Sequence, residues 1–196
     1  MPREVRKRDR RAERAKYERA YDQQPNYKMK GERREDARRD LADIAAGIEG
    51  DASYLDVSCG RGEMLDLAAE LGFGRIQGTE IVPQLIDGER VIEAWAHQLP
   101  FADGEFDVVS MLDVIEHLLP GDDEAACREL GRVARKTVLI TANNKPSFNR
   151  AGDDLHINKR KYRVWHELFE RWFAPGVVTR LDVDRKYVSA AWRIDF

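Results

Sequence analysis

Leu55-Asp56-Val57-Ser58-Cys59-Gly60-Arg61-Gly62-Glu63 decides the fold. An apolar strand ends in a carboxylate, a turn with two glycines follows, and helix-forming residues resume at once. Gly60 and Gly62 permit backbone conformations and a close approach that a side chain would block. The helix that follows turns its free amides toward the anionic end of a ligand. Asp56 adds a carboxylate to the same crevice, which suits a cationic group and repels a phosphate, and the P-loop lysine pattern is missing. In an open α/β sheet, ligands bind beyond the carboxyl ends of the strands near the topological switch point, which makes this strand exit the place to look.

Outward from there the chain alternates. Residues 53–57 read as a strand and about 62–71 as a helix; 75–81 is a second strand, and Pro83 opens a short helix as a first-turn residue. Strands follow at 91–95 and 106–112, the latter nearly continuous in apolar residues, as a strand covered on both faces should be. Asp122 and Asp123 suit the start of a helix reaching about residue 134. A strand at 137–141, a helix at 159–173 and two strands at 177–183 and 186–194 complete the pattern. The fold class is therefore α/β: a Rossmann-like, doubly wound, mostly parallel sheet with an antiparallel C-terminal edge. Tyr162, Trp165, Phe169, Trp172 and Phe173 recur at helical spacing and predict a core-facing stripe.

The second strand ends in Gln77-Gly78-Thr79-Glu80-Ile81, which places Glu80 twenty-four residues after Asp56. An acidic residue near this distance accepts both hydroxyls of a ribose. Taken together, the two strand ends ask for a nucleoside carrying an amino-acid-like tail.

Composition narrows the class. The 196 residues are 42% hydrophobic and 35% charged, enough for one domain with an appendage and a sizeable core. No run of about 18 apolar residues suits a membrane span, and no apolar segment follows the basic start, so no membrane partner and a cytoplasmic location are expected. Cys59 and Cys127 are too few for a disulfide scaffold and lack metal-ligand spacing, and no metal is expected. The net charge of -3 conceals an asymmetry: residues 1–40 carry a net +6 and the rest a net -9. Residues 1–30 read as a charged, basic N-terminal arm, helical or flexible, with too little apolar face for the core, and residues 31–196 as the domain. A second helix is expected over 31–48, after a break near Pro25.

These motifs resemble those of the class I S-adenosylmethionine-dependent methyltransferases over about residues 50–196. The likeness is carried by 54–63, by 78–81, and by 99–118, where Leu99-Pro100-Phe101-Ala102-Asp103-Gly104 leads into a strand and Asp113-Val114-Ile115-Glu116-His117-Leu118 follows its exit. The resemblance implies S-adenosyl-L-methionine as cofactor, with Asp56, Gly60 and Gly62 lining its methionine end, Glu80 its ribose and Ile81 one face of its adenine. Two positions depart from the family: Ser58 stands where glycine is usual, and is expected to donate its hydroxyl or shift the loop. Trp95 stands where an aspartate commonly bonds the adenine amino group, leaving the backbone amide of Ala96 as donor.

In such an enzyme the protein mainly aligns, desolvates and sometimes supplies a base. The candidates for base or substrate ligand are Asp113, His117 and His156, the last in a polar loop that forms the acceptor site in relatives of this type. Asp113 with Asn143 and Asn144 is a weaker candidate for an oxygen-rich metal site. Tyr21 and Tyr27 are expected to fold over the cofactor as a lid. The Pro-Cys dipeptide of cytosine C5 methyltransferases and the Asn/Asp-Pro-Pro-aromatic segment of amino-methylating nucleic-acid enzymes are both missing. A small-molecule acceptor is therefore favoured. The alternatives are a nucleic-acid methyltransferase tethered through residues 1–40 and a non-catalytic cofactor-binding regulatory module.

Overall fold

The computed structural model describes residues 3–26, 28, 29, 31–48, 50–150, 152–181 and 189–196, with backbone alone for 3–9. Its helices are α1 (Arg3–Gln23), α2 (Gly31–Ala45), α3 (Glu63–Glu70), α4 (Asp122–Val133) and α5 (Tyr162–Trp172). Its strands are β1 (Ser53–Val57), β2 (Arg75–Glu80), β3 (Val91–Glu93), β4 (Phe106–Met111), β5 (Ala134–Ala142), β6 (Val177–Leu181) and β7 (Ala190–Asp195). They pair in the order β3-β2-β1-β4-β5-β7-β6. The strands from β3 to β5 are parallel, and β7 inserts antiparallel between β5 and β6. The winding direction reverses between β1 and β4, and the crevice opens there.

Every residue of β1 and β4 is buried, because helices cover both faces of the sheet. Successive side chains alternate faces. Val109 packs with Leu130, Trp165, Phe169 and Trp192 on one side, and Val108 packs with Leu41, Ile44 and Leu65 on the other. The aromatic stripe of α5 faces the core: Trp165 and Phe169 stack at 5.6 Å between centroids, and Trp192 meets Phe169 edge-on at 5.0 Å.

The structure moves several boundaries. β5 begins at Ala134, directly after α4, because Ala134 already pairs with Phe106 ahead of a register shift. β3 stops at Glu93, and the antiparallel pair ends at Leu181 and restarts at Ala190, with the intervening 182–188 outside the described residues. A short 3-10 turn, Ile115–His117, follows β4.

The arm contains α1, a 21-residue helix, and several of its cations find partners elsewhere in the chain. Arg10 grips Asp122 through two bonds of 2.6 and 3.0 Å, Arg14 meets Glu93 at 2.6 Å, and Lys16 donates to the Asp154 carbonyl at 3.1 Å. A basic helix on an acidic body is an electrostatic match that short-range patterning does not express. Among the described residues, no helix is long and apolar enough to cross a membrane.

Candidate active site

The carboxyl ends of β1, β2 and β4 form the floor of a cavity of about 630 Å³, and α1 supplies its roof through Tyr17, Ala20 and Tyr21, with Gln24 just beyond the helix. That volume lies within the range of small-molecule and cofactor sites. Asp56, Ser58, Gly60, Glu80, Ile81, Trp95, Asp113, His117 and His156 all line it. Gly62 and Ala96 do not line it: Gly62 caps α3 at φ +81°, and Ala96 is buried beside the crevice. Tyr27, the second proposed lid residue, lies outside the described residues.

The loop after β1 is held by the end of β2. Glu80 is buried, and its carboxylate accepts the amides of Gly60 at 3.0 Å, Ile81 at 2.7 Å and Val82 at 3.2 Å. Burial pushes its pKa up, and these amides pull the other way. Ser58 adopts a left-handed backbone at φ +58°, which explains why glycine is usual there. Its amide lies 3.4 Å from the Thr79 hydroxyl. Asp56 accepts the Ser110 hydroxyl at 2.5 Å, which in turn lies 2.5 Å from the Tyr54 hydroxyl. Burial outweighs the Ser110 bond and, with the nearby Glu63 and Glu80 charges, raises the Asp56 carboxyl to about 7. A cation placed against it would draw it back to the ionised form.

Cys59 sits inside the loop as packing: its Sγ stands 2.7 Å from the point where a Cβ on Gly78 would lie. Burial, with the Asp56 and Glu80 charges beside it, keeps its thiol far above the ordinary range. It is a poor nucleophile.

The exit of β4 builds the opposite wall. Asp113 has φ +54°, a strained conformation held by reciprocal bonds with Thr141, whose hydroxyl meets both its amide and Oδ1 at 2.8 Å. Its Oδ2 pairs with Arg33 of α2 at 2.8 Å. Asn143 Oδ1 accepts the Lys145 amide. The Asp113 and Asn143 oxygens of the expected Asp113–Asn143–Asn144 grouping are thus engaged by protein donors.

His117 and His156 meet edge to face, with centroids 4.6 Å apart. His117 Nδ1 lies 2.8 Å from the Leu155 carbonyl, and His156 Nδ1 lies 2.6 Å from the Lys145 carbonyl. A carbonyl only accepts, so each Nδ1 carries the proton and each neutral ring keeps a bare Nε2. Burial, reinforced by His156, lowers the His117 pKa to about 3, and burial lowers that of His156 too. Glu116 stands beside them, fully buried, its pKa pushed well up by burial and by Asp113. A donor atom from each of Glu116, His117 and His156 lies within 4.8 Å of the others.

Sequence reasoning missed Glu116, Arg33 and Tyr17 as members of this site. Tyr17 reaches both His117 Nδ1, at 3.0 Å, and the Leu155 carbonyl, at 3.3 Å. The signal for Glu116 was its place between Asp113 and His117, yet an acidic residue after a strand is ordinarily solvated. The two imidazoles are separated by 39 positions, so only the fold brings them together.

Residues 55–141 match the family model described as a methyltransferase domain. That match takes in under half of the chain and marks these residues as similar to a methyltransferase domain. The chain resembles, in fold, the PH0226 protein of Pyrococcus horikoshii, at TM-score 0.65 and 16% identity over 89% of this chain and 97% of that one. It likewise resembles the magnesium protoporphyrin IX methyltransferase of Synechocystis, solved with bound S-adenosylmethionine, at TM-score 0.58 and 15% identity over 84% and 79% of the two chains. The uncharacterised Mycobacterium tuberculosis protein Rv1405c is 35% identical over 102 residues, which is 46% of this chain. The match spans 36%, about a third, of that relative's length.

The cofactor of such a domain is S-adenosylmethionine, and the crevice fits it. A Cβ on Gly60 would stand 2.7 Å from the Tyr21 hydroxyl, so the bare backbone leaves just the room between loop and roof. Asp56 offers a carboxylate to an ammonium, and Glu80 a buried carboxylate to hydroxyls.

Proposed function

We propose that this chain transfers a methyl group from S-adenosylmethionine to a small-molecule acceptor bound in the crevice under α1. The observation that carries this reading is the enclosure of the crevice by α1, which four of its cations dock onto the body. Arg10, Arg14, Lys16 and Arg19 each meet an acidic group or carbonyl of the same chain. A helix docked in this way walls a crevice of small-molecule size, which favours an acceptor that fits beneath it.

Within this reading, Asp56 holds the ammonium of the methionine end, and the Ser58–Gly62 loop keeps the backbone close to it. Glu80 accepts the ribose hydroxyls, and Ile81 and Trp95 bound the adenine. When bound, the cofactor supplies the electrophilic methyl group. The protein contributes alignment and exclusion of water. His117 and His156 face the acceptor with bare Nε2 atoms that can accept its hydrogen bonds, while Asp113, locked by Arg33 and Thr141, fixes the β4 exit. Two free, buried cysteines agree with the reducing cytoplasm as its location.

The test is incubation of the full chain with methyl-labelled cofactor and separate acceptor pools. Label in a small-molecule extract is expected. Label in RNA or DNA alone would overturn the small-molecule reading, and cofactor binding without label in any pool would leave a regulatory module.

A further inference from the structure

Glu116 is fully buried, and its two carboxyl oxygens are treated unequally. Oε1 accepts the Asn143 amide at 3.0 Å, whereas Oε2 is buried without a hydrogen-bond partner. An orphaned carboxyl oxygen in a dry site is costly, and native structures resolve it by a proton, a cation or a ligand. Two imidazoles lie beside it, and the Arg33 guanidinium, whose charge it also feels, is paired with Asp113.

Those imidazoles are prepared in a particular way. Metal-binding histidines almost always donate their second ring N–H to a carbonyl or carboxylate, which fixes tautomer and orientation. His117 does so to the Leu155 carbonyl and His156 to the Lys145 carbonyl. Both carbonyls belong to the loop after β5, which is itself pinned: Leu155 donates its amide to the Ser147 carbonyl, and Asn158 donates its amide to the Glu116 carbonyl. The donor set is therefore held by backbone, as a built site requires.

We propose that Glu116, His117 and His156 bind one divalent first-row transition ion of the zinc or ferrous-iron class. Two nitrogens and one carboxylate oxygen are the ligands these ions favour, whereas magnesium and calcium call for oxygen-rich sets. Loaded bonds of about 2.0–2.2 Å require the donors, now within 4.8 Å of one another, to close by roughly 1 Å. Glu116 Oε2 and the two Nε2 atoms are the ligating atoms, and the remaining positions of the ion open toward the crevice. The imidazoles then serve as ligands in the loaded protein and as free bases only in its absence.

The claim concerns ion binding alone and stands whether or not the chain transfers methyl groups. Where that reading also holds, an acceptor with an oxygen or nitrogen lone pair would complete the coordination.

The experiment is a Zn²⁺ titration of the full chain after chelator treatment, on wild type, Glu116→Gln, His156→Gln and, as control, His166→Gln on α5. One ion per chain is expected in wild type and control, with affinity at least about tenfold lower in the two site variants at unchanged far-UV circular dichroism. Should the site variants fail to fold, the Cu²⁺-loaded wild type still reports. Nitrogen superhyperfine splitting from two imidazoles is expected in its electron paramagnetic resonance spectrum. Sub-stoichiometric binding, wild-type affinity in folded site variants, or a spectrum without two nitrogens would overturn the proposal.

Discussion

The Tyr21 hydroxyl of the roof helix lies 2.7 Å from the point where a Cβ on Gly60 would stand. Gly60 also has φ +57°, so an alanine there meets both a backbone penalty and a steric one. Gly60→Ala should cost about 1–2 kcal/mol in denaturant unfolding. Tyr21→Ala added to it should restore only the steric share, leaving the backbone cost behind. A double variant as stable as wild type would show that the left-handed conformation costs nothing there.

The roof should detach when its anchor is removed. Arg10 reaches Asp122 through two bonds, and the pair is partly buried, worth about 1 kcal/mol. Asp122→Asn should speed proteolytic cleavage within α1 and leave the melting of the body nearly unchanged. Equal cleavage rates in variant and wild type would mean that the helix is held elsewhere.

Asp56 gives the fold a dependence on pH with a definite sign. Its carboxyl is raised to about 7, so between roughly pH 4 and pH 7 the folded chain keeps a proton that the unfolded chain has released. The stability from this group is full below about pH 4 and is lost as pH rises to about 7. Asp56→Asn, neutral throughout, should match wild type near pH 4 and exceed it at pH 8 by a few kcal/mol, on the order of 1.4 per pKa unit. Binding of a cationic ligand should show the opposite slope, strengthening from pH 6 to pH 8 in wild type and flat in Asp56→Asn. Chemical denaturation and calorimetry at the three pH values check both.

The stripe on α5 predicts a purely structural loss. Phe169 is fully buried between Trp165 and Trp192. Phe169→Ala should cost about 3–5 kcal/mol by urea unfolding, with cofactor affinity unchanged in the protein that remains folded.

Much of this was legible before any coordinates, for local reasons. A continuous apolar run such as 106–111 announces a strand covered on both faces, and glycines after a carboxylate announce a turn against a ligand. Alternation of strands and helices announces the doubly wound class, whereas the strand order comes from the structure. The limits of β5 were not legible, because Ala134-Arg135-Lys136 reads as a continuing helix until Phe106 is known to pair with it. Nor was the docking of α1, which depends on Arg10 and Asp122 meeting across 112 positions. The grouping of Glu116 and His117 with His156 was hidden for the same reason: adjacency of the first two was visible, but the approach of the third is a property of the folded loop.

We place S-adenosylmethionine in the crevice at β1 and β2, held through Glu80. Calorimetric titration of wild type and Glu80→Ala with S-adenosylmethionine and S-adenosylhomocysteine tests it most directly. One-to-one binding of both ligands to wild type is predicted, with at least about a tenfold loss in Glu80→Ala, equivalent to about 1.4 kcal/mol or more. No binding to wild type, or equal binding to the variant, would contradict it.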